Sequence, residues 1–222
     1  MKQFRQYSVF IDYSSGPEEA RIFHMLSMIC ATTVGKLLLD SLESQSWIVP
    51  GKKELARCLC AGLTLPMTPG KNGHDKNSNI FFEVTDQPML TTPFGLPYQY
   101  YSDDDRLFHE LVHAYRMGRI GYSNMEFSTT MTHYLNVEEF LAVHMQNVYL
   151  SYRDNPRFYL DNNSMKAVSK GDAYASFVRD KEALRVFRYF VQKDPFAAKV
   201  AALKNPVSSF NPWRDVAILE RI

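Results

Sequence analysis

The chain has 222 residues, 45% of them hydrophobic and 22% charged, with 25 Lys and Arg against 24 Asp and Glu for a formal charge of +1. This composition excludes disordered, collagen-like and low-complexity classes, and at this length roughly 70% of the unfolded surface is buried on folding, enough for one core without disulfides or a structural metal. Balanced charge without a Lys/Arg block argues against a nucleic-acid partner, and no apolar run approaches the roughly 18 residues of a membrane span.

The start, MKQFRQYSVFIDYSS, carries two cations but no apolar segment or cleavage site after them, so no Sec-type signal is expected. Gly16-Pro17 followed by Glu18 and Glu19 predicts a helix start, because proline suits the first turn and acids suit the positive end of the dipole. That helix is expected to run to about Leu42 as one element. Its middle, ARIFHMLSMICATTVGKLLLD, is apolar on most faces, which predicts burial, with His24 in the core or at its boundary.

From Trp47 to Glu83 the period shifts towards two, and SWIVP, CLCAGLTL and NIFFEV read as short strands. Cys30, Cys58 and Cys60 are odd in number and form no CxxC pair, so reduced, structural thiols in a cytosolic setting are expected. The stretch TPGKNGHDKNSN reads as a solvated loop exposing His74, and TDQPMLTTPFGLPYQYYSDDD as an ordered loop.

Ser102 and the three aspartates after it can cap a helix that starts near Arg106 and carries RLFHELVHAYRMG to Gly118. Val137, Phe140, Leu141, His144, Val148 and Tyr152 recur at three-four spacing and predict a helix from Val137 to about Tyr152. A further helix over KGDAYASFVRDKEALRVFRYFVQKD, a helical turn in FAAKVAALK and a proline-rich tail close the chain. The sum is a single domain over residues 1–222 of α+β class, helix-rich with a small, mainly antiparallel sheet in the first half.

The residues that carry chemistry are His109-Glu110-Leu111-Val112-His113. A spacing of four on a helix puts both imidazoles on one face a turn apart, where their nitrogens can converge on one zinc ion at about 2.0–2.1 Å. Glu110 stands beside the metal rather than on it, the place for a general base acting on zinc-bound water. Leu107, Phe108, Leu111, Val112 and Ala114 let such a helix be buried with its histidines towards a cleft.

Catalytic zinc sites have three protein ligands and one open position. Arg116 and Arg119 stand where a longer HExxHxxGxxH motif needs glycine and histidine, so the third ligand is distant. His133, Glu138, Glu139 and His144 are the candidates. Glu139, 26 residues after His113, is favoured over Glu138 because Ala142, one turn on, lets its helix approach closely. His144 reads as a core-facing or supporting histidine. Tyr134 is the preferred donor to the developing oxyanion, with His133, Tyr122 and Tyr115 as competitors. Arg116 reads as a structural ion-pair partner.

FHELVHAYR followed by EEFLAVHMQNVYLS, and preceded by SSGPEEARIFHMLSMI and a CxA strand, resembles the NleD-like zinc metallopeptidases, which are bacterial type III effectors and related toxin domains. The likeness runs from about Val9 to Arg153, and the Glu helix is also similar to that of lethal-factor-type glutamate-zincins. The resemblance implies a zincin-like metallopeptidase domain with His109, His113 and Glu139 on zinc and Glu110 as base. It also implies a non-Sec-secreted protein that cleaves host proteins in the host cytoplasm, mitogen-activated protein kinases being the described substrates; separately, a monomer is expected. The other reading is a non-catalytic interaction module whose zinc is closed by a fourth side chain such as His133 or His144.

Overall fold

The computed structural model describes residues 1–13, 16–53, 62–66, 77–84, 89–91, 97–99, 102–118, 136–153, 157–159, 167–169, 171, 174–175, 180–204 and 210–219. The chain divides into two compact units, Met1–Ser123 and Asn124–Ile222.

In the first unit, β1 (Lys2–Gln3), β2 (Val9–Ile11), β3 (Ser46–Pro50), β4 (Gly62–Pro66) and β5 (Ser78–Phe82) form one sheet in the order β1-β2-β3-β5-β4. The three central segments expected as strands are present. The sheet is mixed rather than mainly antiparallel: β2/β3 and β3/β5 are parallel, β1/β2 and β4/β5 antiparallel. The expectation missed β2, whose three residues are too short to show a period. Once VFI is a strand, the helical segment between it and β3 is long enough to be the crossover that a parallel pair requires. A second small pair, β6 (Met89–Thr91) with β7 (Pro97–Gln99), lies within the stretch read as a loop.

Register lines up Ile11, Ile48, Ile80 and Thr64 across four strands. Paired residues share a face, and the three isoleucines are fully buried, with Thr64 6% exposed at the end of the row. The neighbouring row, on the opposite face, is half wet: Phe10 stacks on Trp47 at 5.3 Å, and Leu65 is exposed. NIFFEV, as β5, lies between β3 and β4, so among the described residues β4 is the edge of the sheet at this end.

The first helical segment is two helices, α1 (Gly16–Ala31) and α2 (Thr33–Ser41), bent by 108°. Thr32 breaks it: its backbone is extended and its hydroxyl accepts from the Gly35 N–H at 3.0 Å, capping α2. Gly35 is required at the bend, since a Cβ there would lie 2.0 Å from the Ile29 carbonyl oxygen. His24 is exposed rather than in the core. Cys30 is a free, half-buried thiol 3.4 Å from the Tyr7 hydroxyl, while Cys58, Cys60 and His74 lie outside the described residues.

Helix α3 (Asp103–Met117) packs on β4, β5, α1 and α2. It begins at Asp103 rather than near Arg106, and the Ser102 side chain makes no capping bond. All three aspartates therefore sit in the first turn, where the dipole favours them. Asp103 pairs with Arg106 at 3.1 Å, and Arg106 lies 4.2 Å from the centre of the Phe82 ring.

The second unit is built on α4 (Val137–Ser151), close to the expected bounds. It is buried on nearly every face, Gln146 and Asn147 included. The strands β8 (Arg157–Tyr159) and β9 (Ala167–Ser169) pair antiparallel. α5 (Lys181–Lys193) starts at Asp180, whose carboxylate accepts from the Glu182 and Ala183 N–H groups at 2.8 and 3.2 Å. Asp194 caps α6 (Pro195–Ala201) in the same way, with proline in its first turn. The expected proline-rich tail holds a helix instead, α7 (Pro212–Leu219), because Asn211 accepts from the Arg214 N–H at 3.1 Å and Pro212 is preset for a helix start. Among the described residues no single helix is long and apolar enough to cross a membrane, although α1 and α2 taken together pass that test despite their bend.

His144 lies in an aromatic cage, its ring 4.4 Å from Phe140, 5.1 Å from Phe187 and 6.4 Å from Phe210. Burial disfavours its cation and lowers its pKa from 6.5 to about 3. As pH falls, the unfolded chain therefore takes the proton first. The stabilisation is complete above about pH 6.5 and is lost as pH falls from there towards about pH 3, so this one group gives stability a rising slope against pH across that window. Urea melts between pH 4 and 7 are expected to show that slope in the wild type and a shallower one in His144→Leu; identical slopes would contradict this assignment.

Candidate metal centre

The site begins with the period of α3. His109 and His113 are one turn apart, both buried, and their Nε2 atoms lie 3.0 Å from each other with the rings edge to face at 4.8 Å. Two donors on one tetrahedral zinc, each at about 2.0–2.1 Å, stand about 3.3 Å apart. The pair is therefore within a few tenths of an ångström of that spacing before any adjustment.

A third donor joins them. One ligand atom each from His109, His113 and Glu139 lie within 4.8 Å of one another, so this group could hold a metal ion. Two imidazole nitrogens and a carboxylate oxygen are a donor set that suits zinc. Glu139 is half-buried in the first turn of α4, and its N–H donates to Asn136 Oδ1 at 3.0 Å. That cap was legible as the Asn-x-x-Glu spacing of a helix start, though the sequence reading singled out the glutamate alone. Glu138 is almost fully buried and is not in the group, and neither is His144, which is caged by aromatic rings.

Glu110 is 6% exposed and follows the first donor. Its Oε2 accepts a hydrogen bond from the Thr64 hydroxyl at 2.7 Å, and the same hydroxyl lies 3.1 Å from the Glu110 carbonyl oxygen. One proton cannot fully serve both, and the shorter arm to the charged oxygen is the stronger. Nothing in the sequence reading marked Thr64. Tyr115 and Arg116 are both buried near the end of α3. Tyr134, His133 and Tyr122 lie outside the described residues.

Comparison with protein families, with curated proteins and with solved structures gives no match to this chain.

The geometry sets an expectation for zinc itself. Chelator competition should find one zinc per chain, with affinity reduced in His109→Ala, His113→Ala and Glu139→Ala by more than the roughly 10–100-fold typical of losing an outer partner. Glu138→Gln should bind as the wild type does. The reverse pattern at positions 138 and 139 would contradict the grouping.

Proposed function

We propose that the chain is a zinc-dependent endopeptidase of the glutamate-zincin type, with His109, His113 and Glu139 holding the metal and Glu110 acting as general base. The observation that carries the reading is a group of two imidazoles and one carboxylate within 4.8 Å, with a buried glutamate next in sequence to its first member. A zinc ion held by these three protein donors would remain open to water or substrate. Zinc bound there supplies a Lewis acid that polarises the scissile carbonyl and acidifies the attacking water.

Glu110 takes a proton from the water as its oxygen bonds to the carbonyl carbon. The C–N bond then breaks, and the same carboxylate returns the proton to the leaving amine. An extended substrate can add along β4, the edge strand beside α3, by main-chain pairing. Tyr134 is the proposed donor to the oxyanion. The likeness of FHELVHAYR and EEFLAVHMQNVYLS to NleD-like peptidases supports protein substrates within a host cell, signalling kinases among them, reached by a non-Sec route.

Glu110→Gln is expected to keep zinc and to lose cleavage by about 10²–10⁴-fold. The check is a comparison of new peptide termini in host-cell lysate treated with each protein, with zinc content measured in parallel. Equal cleavage by the variant would contradict the mechanism.

A further inference from the structure

We infer that Thr64 is the positioning residue for Glu110: its hydroxyl holds one carboxylate oxygen, Oε2, and so leaves Oε1 for the proton that the base must take. The inference rests on the proposed role of Glu110, and it adds a residue on a different element of the fold.

Three observations carry it. Thr64 Oγ1 lies 2.7 Å from Oε2, and both residues are 6% exposed, so water does not compete freely for the bond. Thr64 also closes a row of three fully buried isoleucines, Ile11, Ile48 and Ile80, each on its own strand. Packing alone would be served there by valine, which has the same branched shape; a hydroxyl at that point is costly to bury unless it is used. Finally, threonine is stiff at χ1 and β4 is tied to β5 over its full five residues, so the donor is itself fixed. A glutamate with three rotatable bonds gains a single orientation from such a partner, which a free side chain would sample only part of the time.

A merely structural Thr64 would affect melting and little else. The test uses the full chain loaded with zinc, or with cobalt for its visible spectrum, and acetohydroxamic acid as the probe. That probe chelates the metal only when its N–OH proton is given up, and the carboxylate beside the metal receives it. Wild type, Thr64→Val, Thr64→Ser and Glu110→Gln are compared for zinc affinity, melting temperature and probe affinity. Zinc affinity should be the same in all four to within about 2-fold. Probe affinity should fall by about 10–100-fold in Thr64→Val and in Glu110→Gln, the range for loss of an outer partner, and Thr64→Ser should match the wild type.

Should Thr64→Val not fold, Thr64→Ala is read in the same titration. If the hydroxyl-free variant binds the probe as tightly as the wild type while Glu110→Gln does not, Thr64 has no positioning role and the endopeptidase reading stands. If Glu110→Gln also binds the probe normally, or the wild type takes up no zinc, the base assignment fails and this inference with it.

Discussion

Helix α3 must bury charge. Of its 15 residues 13 are buried, among them Asp104, Asp105, Arg106, His109, Glu110, His113 and Arg116. A buried polar group without a partner costs about 1–3 kcal/mol, and an unpaired charge more. The surroundings of α3 are therefore built to answer it. Arg106 is met by Asp103, by the Glu83 carbonyl oxygen and by the Phe82 ring, Glu110 by Thr64, and the two histidines by each other. The edge strand β4 belongs to this arrangement as much as to the sheet, because its one buried side chain with a hydroxyl is spent on the helix. Glu110, bonded to Thr64, directly follows His109, one of a close pair of nitrogen donors.

What could be read from the sequence was what is local in it. The C-terminal end of α3, the bounds of α4, the shared face of His109 and His113, and the apolar character of α4 all follow from a 3.6-residue period within one window. Glu139, and not Glu138, is the carboxylate with an atom within 4.8 Å of the histidine donors. The misses are non-local or very short. Three residues, Val9–Ile11, are too few to show a period, yet they turn the sheet from antiparallel to mixed. Thr32 looked like part of an apolar helix and is instead a cap, its role set by Gly35 and the close approach of the Ile29 carbonyl. Asn211-Pro212 looked like a tail and is a helix start. The apolar neighbours of His24 predict a place in the core or at its boundary, yet the residue is exposed. Thr64 could not be found at all, since its partner lies 46 residues away in sequence.

His144 and the His109–His113 pair illustrate how one residue type takes two roles in one chain. Aromatic rings on three sides hold His144 neutral over most of the pH range, which makes it a packing element. The α3 histidines instead face each other with nitrogens in reach of a shared ion. Both types sit on helices among apolar neighbours, so only the surrounding side chains separate them.

The decisive measurement is X-ray absorption at the zinc edge of the loaded protein. A centre of His109, His113 and Glu139 gives only nitrogen and oxygen neighbours, at about 2.0–2.2 Å, with outer scattering from two imidazole rings. Scattering from three or more rings would mean that another histidine closes the site, and a neighbour at about 2.3 Å would mean a cysteine ligand; either result would contradict a catalytic centre built on His109, His113 and Glu139.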